Sequence, residues 1–257
     1  MKTILLATAG LTWAAMATAE VEPLPRPLQP LQQMGLEFLG SFDGPDQLKG
    51  YAARYQQQGV AVYLTPDRQH ALVGTLYDAQ GQDLSAEHLD RLVFAAMDQA
   101  NWEKLGASTW IADGKPDAPR IVYVFSDPNC PFCSMFWKQA RPWVDSGQVQ
   151  LRHVMVGILR EESAALAAAM LASGDPTAAL LEHERDGKRS TLKPLKKIPA
   201  DIAGQLAANL ALMTELQVPA TPAIFYRDDA GRLQNHRGAP PGKMLEAILG
   251  TQPRSGG

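Results

Sequence analysis

Hydrophobic and polar residues alternate in two short segments of the first third of the chain. Residues 60–64 and 72–76 each place every second side chain on one face, which is the spacing of a half-buried strand. Residues 65–67 begin a turn between the two segments, and residues 79–82 close the unit. The pattern predicts an α+β module of about 60 residues. A module of this size buries little core alone and must pack on the rest of the chain or on a second copy.

The segments that flank these strands carry weaker patterns. Residues 20–30 contain four prolines, and we expect them to be extended. Residues 31–39 have helical spacing, with three apolar side chains on one face, and predict a short helix. Residues 49–58 mix two tyrosines with polar side chains, and their pattern leaves the structure of this segment open.

The clearest amphipathic pattern runs from Ser85 to Leu105. Its apolar residues recur at helical spacing, Ser85 can cap the N-terminus, and Gly106 can end the helix. The helix either links two domains or lies on the surface of one. Its position favours the linker, because a new α/β pattern starts after the turn-rich residues 113–117.

Residues 119–250 predict one α/β domain with a helical insert. Apolar runs indicate buried strands, and segments with a period of 3.6 residues indicate helices. The helix that starts near Cys133 contains Pro142, where we expect it to bend or break. In chain order, the predicted elements are strand 121–125, helix 133–144, strand 149–156, helices 161–172, 177–185 and 201–216, strand 223–226, a hairpin turn at 228–231 to residues 232–236, and helix 243–249.

The N-terminus has the pattern of a secretory signal peptide. Lys2 precedes an apolar stretch from Ile4 to Ala17, and Ala17-Thr18-Ala19 suits cleavage before Glu20. Cleavage after residue 19 leaves 257 − 19 = 238 residues, and the loss of one lysine changes the net charge from −3 to −4. The apolar stretch is short for a membrane anchor, and no later stretch is long enough to span a bilayer, so we expect a soluble exported protein. The weak net charge argues against nucleic acid as a partner.

The two cysteines of the chain, Cys130 and Cys133, stand in one Cys-x-x-Cys motif between a predicted strand and a predicted helix. Pro131 suits the first turn of that helix, because its missing N–H has no partner there in any case. Cys130 therefore falls at a helix N-terminus, where free N–H groups and the helix dipole favour a thiolate. Cys133 lies about one turn further along, where we expect it to be better covered and able to attack a mixed disulfide on Cys130. An exported chain with a single such pair indicates working thiols.

Three other interpretations of this motif are weaker. A zinc site needs about four ligands, and the chain has neither a second Cys pair nor histidines at ligand spacing. Haem attachment needs a histidine directly after the second cysteine, where Ser134 stands. A purely structural disulfide across so short a loop removes little entropy from the unfolded chain. We therefore expect redox chemistry without a metal or another cofactor.

Thr221-Pro222 directly precedes an apolar strand, an order typical of thioredoxin-like folds. In such folds this proline is cis and lies beside the Cys-x-x-Cys motif. The Thr221 backbone is then free to pair with an extended substrate segment. An ordinary proline at the start of a strand is the alternative. The strand, motif and helix upstream and the hairpin and helix downstream favour the thioredoxin-like order.

These two regions and several others carry a resemblance to one family. The segments concerned are Ile121–Pro128, Cys130–Cys133, Phe136–Trp137, Ala140–Gly147, Val149–Arg152, Val156–Gly157, Thr221–Ile224, Gly59–Val60 and Tyr63–Asp67. Over nearly all of its mature length the chain resembles the periplasmic thiol:disulfide interchange proteins of the DsbC/DsbG family. Phe132 stands where we expect Tyr, and the lack of a second, structural Cys pair favours the DsbG branch.

The resemblance implies an α+β fold with a small cystatin-like dimerisation domain, a linker helix and a thioredoxin-like domain with a helical insert. We expect a signal peptide over residues 1–19, the dimerisation domain over 20–84, the linker over 85–106 and the thioredoxin-like domain over 107–257. The resemblance also implies a V-shaped periplasmic homodimer.

The expected activity is that of a thiol-disulfide oxidoreductase, which reduces or isomerises oxidised cysteines in exported proteins. The expected catalytic residues are Cys130 and Cys133, and the expected substrate-binding residues are Pro131, Phe132, Thr221 and Pro222. The resemblance implies sulfenylated single cysteines as substrates and the membrane protein DsbD as electron donor.

Two further hypotheses remain from the sequence. A dimeric chaperone that holds partly folded proteins would need an exposed apolar surface, which a sequence does not show. A net oxidant of the DsbA type is also possible. The predicted dimerisation module argues against it, because a dimer with recessed sites avoids being oxidised by the partner of DsbA.

Overall fold

A computed structural model describes residues 23–253 of the chain. The predicted signal peptide of residues 1–19 lies outside the described residues. The chain divides into two compact units, and the boundary falls between Leu89 and Asp90. Across residues 23–253, every helix is too short or too polar to cross a membrane.

The first unit is built on an antiparallel sheet whose strand order is β1-β2-β3-β4. Leu28, Val62 and Leu64 form its buried centre. Its strands are β1 (Glu37–Asp43), β2 (Lys49–Tyr55), β3 (Gln58–Leu64) and β4 (Ala71–Val73), and its helices are α1 (Gln29–Gln33), α2 (Ala86–Leu89) and the 3₁₀ turns Arg26–Leu28 and Pro45–Gln47.

Two predictions at the start of this unit are wrong. The proline-rich segment is not extended beyond Pro25, because Pro27 and Pro30 stand in the first turns of the 3₁₀ helix Arg26–Leu28 and of α1, where a missing N–H costs little. The predicted helix 31–39 stops early. Gly35 adopts a left-handed backbone conformation, with a φ of 99°, and the chain then enters β1, where Phe38 packs edge-on against Tyr51.

The open segment 49–58 contains β2, which alternation did not reveal because its buried positions are small. Gly50 lies opposite Phe42 of β1, and the Phe42 ring fills the space that a side chain at Gly50 would need. The predicted second strand over 72–76 ends at Val73. Beyond Val73, Leu76 is hydrogen-bonded to the segment that precedes α2. Its N–H donates to Ser85 Oγ, and its carbonyl accepts from the N–H of Leu84.

The long amphipathic pattern does form helix, as predicted. Helix α2, a π-helical segment (Asp90–Phe94) and α3 (Ala95–Ala107) follow one another directly. The π-helical segment was not predicted.

The second unit contains a five-stranded sheet of order β5-β7-β6-β8-β9, in which only β6 and β7 are parallel. The predicted strands and helices are present, and β5 is an addition that the sequence analysis missed. Helix α4 runs through Pro142, so the interruption expected there does not occur. The strands are β5 (Trp110–Asp113), β6 (Arg120–Ser126), β7 (Val149–Met155), β8 (Ala223–Arg227) and β9 (Leu233–Arg237), and the helices are α4 (Pro131–Asp145), α5 (Ser163–Leu171), α6 (Pro176–Asp186), α7 (Ala200–Glu215), α8 (Gly242–Leu249) and the 3₁₀ turn Gly187–Arg189.

Strand β6 is the centre of this unit because helices cover both of its faces. Val122 and Val124 pack under α4 and α8, while Tyr123 and Phe125 pack under α3 and α7. Burial on both faces explains why the strand is a continuous apolar run. Helices α5, α6 and α7 share a further apolar cluster that forms the core of the insert. The C-terminal end of β6 therefore delivers the Cys-x-x-Cys motif from the most constrained strand of the unit.

Gly157 lies two residues after β7, where Ala164 of α5 packs closely on the chain. A Cβ at this position would lie 2.3 Å from Ala164 Cα and 2.4 Å from Ala164 N, and backbone atoms cannot move aside as a flexible side chain can. We expect Gly157→Ala to lower the free energy of unfolding by about 1–3 kcal/mol, measured by denaturant unfolding.

Gly204 gives a matched control inside α7. A Cβ there meets nothing within 4 Å, and alanine favours helix over glycine, so Gly204→Ala should raise the free energy of unfolding by about 0.5–1 kcal/mol. Equal effects of the two substitutions would contradict the close approach at Gly157.

Candidate active site

Cys130 is the N-cap residue of helix α4. Its backbone is extended, with φ −85° and ψ 109°, and its Sγ accepts a hydrogen bond from the N–H of Cys133 at 3.1 Å. Pro131 follows as the first residue of the helix. The sulfur thus occupies the place of an ordinary capping oxygen, where the helix dipole favours a negative charge. Both cysteines are free thiols.

Burial does not distinguish the two cysteines in the way the sequence analysis expected. Cys130 is 2% exposed and Cys133 is 3% exposed, so Cys133 is not measurably better covered. The two differ in what lies around them. Cys130 borders an open groove, whereas Cys133 is not among the residues that line it.

The surroundings move the pKa values of the two thiols in opposite directions. A hydrogen bond from the Cys133 side chain lowers the pKa of Cys130 to about 7, with smaller help from the Thr221 side chain and the N–H groups of Cys133 and Phe132, against the effect of burial. Burial raises the pKa of Cys133, and the neighbouring Cys130 sulfur raises it further. The pair therefore holds one ionisable thiol and one that stays protonated.

Thr221 and Pro222 lie directly beside Cys130. The Thr221–Pro222 peptide bond is cis, as the sequence analysis predicted. The thiol of Cys130 donates to the carbonyl oxygen of Thr221 at 3.5 Å. Within the described part of the chain, the buried hydroxyl oxygen of Thr221 has no hydrogen-bond partner, so its proton is available to a thiolate on Cys130. Pro222 is buried, and its carbonyl accepts from the N–H of Gly238 at 2.8 Å.

Pro131 and Phe132, the residues between the cysteines, are at the surface. Pro131 borders the same groove as Cys130, and Phe132 leaves 55% of its surface exposed. All six residues named from the sequence therefore lie at one end of the second unit.

Asp127 holds the loop that carries Cys130, a role that the sequence analysis missed. Its buried Oδ1 accepts from the N–H of Asn129 and the hydroxyl of Ser163, both at 2.8 Å. Its Oδ2 accepts from the N–H groups of Ile158 and Leu159 at 2.7 and 3.0 Å. An Asp two residues before Asn129 signals an Asx turn, but the sequence gives no sign of the partners more than 30 positions away.

A groove of about 430 Å³ opens beside Cys130. One wall is the loop and first turn of α4, and the other belongs to the helical insert. His183 ties the two walls together, because its Nε2 donates to the carbonyl oxygen of Pro128 at 2.7 Å. The lining residues are Pro128, Asn129, Cys130, Pro131, Ser134, Arg160, Leu166, His183, Gly187, Ser190, Leu192, Lys193 and Pro194.

A second cavity, of about 290 Å³, is mostly apolar and is lined by residues from α7, from the segment that leads to Thr221 and from the loop after β7. Its lining residues are Ile158, Leu210, Met213, Thr214, Gln217, Val218 and Pro219.

No group of three or more His, Cys, Asp or Glu side chains that could hold a metal ion occurs among residues 23–253. The site holds two thiols one helical turn apart. A thiolate near neutral pH attacks oxidised sulfur, and a protonated thiol one helical turn away can complete the exchange.

Comparison with protein families divides the chain in the same order as the sequence analysis. Residues 16–86 match the disulfide bond isomerase protein N-terminal domain, and residues 111–253 match a thioredoxin-like domain. The catalytic domain of Proteus mirabilis ScsC is a structural neighbour with a TM-score of 0.49 and 24% identity, which covers 61% of this chain and 96% of that one.

The relatives are similar over almost the whole length. Thiol:disulfide interchange protein DsbG of Pseudomonas aeruginosa is 60% identical over 92% of each chain. DsbG of Escherichia coli is 42% identical over 92% of this chain and 95% of its own. The chain belongs to the DsbG family of thiol:disulfide interchange proteins. As a DsbG-family protein it is a thiol-disulfide oxidoreductase with a thioredoxin-like domain behind an N-terminal domain of the disulfide bond isomerase type.

In this DsbG-family site, the opposite pKa shifts predict selective alkylation. The rate of Cys130 alkylation by iodoacetamide should rise with pH, reach half of its maximum near pH 7 and level off above it, because only the thiolate reacts. The alkylation rate of a free cysteine would reach half of its maximum at a pH of about 8.5. Peptide mapping by mass spectrometry assigns the label. Faster labelling of Cys133, or a midpoint above pH 8.5, would contradict the environment described for the pair.

Proposed function

We propose that Cys130 is the nucleophile and Cys133 the resolving thiol of a reductase and isomerase that acts on oxidised cysteines of exported proteins. One observation carries the proposal: the Cys130 sulfur caps α4, has a pKa of about 7 and contacts the carbonyl oxygen of Thr221. The Cys130 sulfur is therefore a thiolate near neutral pH and lies next to a carbonyl group that can bind the substrate backbone.

The first step is attack of the Cys130 thiolate on oxidised sulfur. With a disulfide, a new bond forms to one sulfur and the other leaves as a thiolate that takes a proton from water. With a sulfenic acid, the same attack expels the hydroxyl group, which leaves as water once protonated. Both routes give a mixed disulfide between Cys130 and the substrate.

Cys133 completes the reaction. While Cys130 is a thiolate, its charge raises the pKa of Cys133, and this effect ends when the mixed disulfide forms. Cys133 then loses its proton more easily, attacks Cys130 and releases the reduced substrate. The Cys130–Cys133 pair is left oxidised, having supplied two electrons. If the substrate instead rearranges and expels Cys130, the outcome is isomerisation without net electron transfer.

The substrate chain lies across Thr221 and Pro222 in this mechanism. The Thr221 carbonyl is within reach of a substrate N–H close to the attacked bond, in the manner of an added strand. Pro131 and the exposed Phe132 form the facing surface. The resemblance to the family supports DsbD as the membrane protein that reduces the pair again, and sulfenylated single cysteines as substrates.

We place the protein in the periplasm, with residues 1–19 as its cleaved signal peptide. We assign the dimerisation domain to residues 20–84, the linker helix to 85–106 and the catalytic domain to 107–257. The matches of residues 16–86 and 111–253 to the two family models support this division.

A homodimer through the first unit is also part of the proposal. Strand β4 pairs with β3 on one side, and Leu72 and Val73 of β4 are 60% and 51% exposed. An exposed apolar edge strand is a surface that pairs readily with another chain. A second copy would cover these side chains and give the small unit the burial it lacks alone.

A chaperone activity is the second candidate, and one observation favours it. Exposed apolar side chains occur near the start of α4, in the loop after β7 and in α7, and two of them line the apolar cavity beside Val218. Such a patch can hold unfolded segments without chemistry. The exposed side chains are Phe132, Met135, Ile158, Leu159 and Leu210.

Trapping tests the roles of the two cysteines. Cys133→Ser should accumulate mixed disulfides with exported proteins, because the thiol that breaks the intermediate is gone. The complexes are isolated from periplasm under oxidative stress and identified by mass spectrometry after reduction.

The control carries Cys130→Ser in addition and should trap nothing. A folded Cys133→Ser protein that traps no partner would refute the catalytic proposal. Suppression of aggregation by Cys130→Ser would then identify the chaperone role as the principal one.

Edge substitution tests the dimer. Leu72→Glu with Val73→Glu places two like charges on the edge of β4, and a second copy would have to bury them. We expect sedimentation to show a dimer for the unchanged protein and a monomer for this variant. Met34→Glu, at another exposed apolar residue of the same unit, is the control and should remain dimeric. A dimer that survives the β4 changes would place the interface elsewhere.

A further inference from the structure

We propose that the groove beside Cys130 binds an acidic segment of the substrate protein adjacent to its oxidised cysteine. The inference rests on the proposed role of Cys130 as nucleophile and adds a charge preference to it. Arg160 and Lys193 are the residues to which we assign this preference.

The position of the groove brings it next to any substrate bonded to Cys130. Cys130 is part of the lining, so a chain bonded to its sulfur starts at the groove. The Pro128 carbonyl and the His183 ring hold the two walls at a fixed separation through their 2.7 Å hydrogen bond. The volume of about 430 Å³ is enough for several side chains of an extended segment.

The charge of the lining has one sign. Its ionisable side chains other than Cys130 are Arg160, His183 and Lys193, and the described lining contains no acidic residue. Arg160 and Lys193 are exposed, and neither makes an ion pair within residues 23–253. His183 is committed to the Pro128 carbonyl and is not counted as a ligand.

Glu182 is an acidic residue close to this surface in the fold, and it is already occupied. Its Oε1 accepts from the N–H of Thr191 at 2.7 Å, the hydroxyl of Thr191 at 2.8 Å and the hydroxyl of Ser190 at 3.3 Å. These bonds fix the loop that presents Lys193. Glu182 does not line the groove, so Arg160 and Lys193 remain open to a partner of opposite charge.

The chemistry on the other side of the site differs. The cavity beside Val218 and Pro219 is lined largely by apolar side chains and contains no charged residue among those described. A substrate that spans the site therefore meets carboxylate-binding residues on one side of its cysteine and an apolar surface on the other. An acidic protein segment satisfies this asymmetry, and a uniformly basic one places like charges together.

The size of the expected rate preference follows from the exposure of Arg160 and Lys193. Charges at the rim of a site mainly change the rate of encounter, and salt screens them over about 8–10 Å. We expect acidic flanking residues to raise the rate of mixed-disulfide formation about three- to tenfold at low ionic strength. The advantage should shrink towards unity as salt is added.

The test uses the full mature chain with Cys133→Ser, which stops the reaction at the mixed disulfide. The substrates are disulfide-linked dimers of three synthetic peptides, each with one cysteine and with Glu, Gln or Lys at the flanking positions. Attack by Cys130 forms one mixed disulfide and releases one peptide thiol, so acid quenching and intact-mass analysis give the rate constant. The readout is the ratio of the Glu-peptide rate to the Gln-peptide rate, which cancels any general change in Cys130 reactivity.

Three double variants of this Cys133→Ser protein are compared with it. Arg160→Gln with Lys193→Gln should lower the ratio about three- to tenfold. Arg160→Glu with Lys193→Glu should invert it, so that the Lys peptide becomes the fastest. Lys196→Gln with Lys197→Gln changes the net charge by the same amount in the same loop but outside the groove, and should leave the ratio as it is.

The outcomes separate this proposal from the proposed function. Failure of Cys130 to react with any peptide overturns both. Reaction at equal rates with the Glu and Gln peptides preserves the nucleophile and overturns the acidic preference. An equal loss of the ratio in the Lys196/Lys197 control also overturns it, because the effect is then one of net charge rather than of this groove.

Discussion

The position of the Cys130 sulfur depends on the buried carboxylate of Asp127. Its four hydrogen bonds join the end of β6, the turn before α4, the loop after β7 and the start of α5. A carboxylate in this position satisfies donors that would otherwise be buried without partners, each at a cost of about 1–3 kcal/mol. The site is thus assembled from segments distant in sequence around one buried side chain.

An ion pair fixes the opposite end of helix α4. The guanidinium of Arg141 in α4 binds both oxygens of Asp113 in β5 and lies over the Trp137 ring, 4.3 Å from its centroid. His153 stands 3.6 Å from the same carboxylate, and burial of Asp113 is offset by these two neighbours, which hold its pKa below the usual value. Helix α4 is therefore held at its start by backbone donors and along its length by charge, so the cap residue has little freedom to move.

The sequence predicted the parts of this protein whose signals are local. The Cys-x-x-Cys motif, the helix after it and the cis Thr221–Pro222 bond each have a signature within a few residues. Strand β2 escaped prediction because its buried positions carry glycine and alanine, and the Phe42 ring that fills the space at Gly50 comes from another strand. Strand β5 escaped because its last residue, Asp113, is polar and is buried beside two distant partners, Arg141 and His153. Asp127 and the basic groove depend on contacts across the fold, and no local pattern reports them.

The sulfur of Cys130 has two roles, because the atom proposed to attack substrate also caps the N-terminus of α4. The helix dipole favours the thiolate form of a sulfur in this position, and any bond to another sulfur removes the negative charge. Formation of a disulfide at Cys130 therefore removes a favourable interaction between the thiolate and the first turn of α4, and reduction restores it. Above a pH of about 7 the helix stabilises the Cys130 thiolate and not the disulfide, so it shifts the equilibrium towards the reduced pair. The fold therefore favours the dithiol over the disulfide, while the two electrons for each reduction must come from a separate donor.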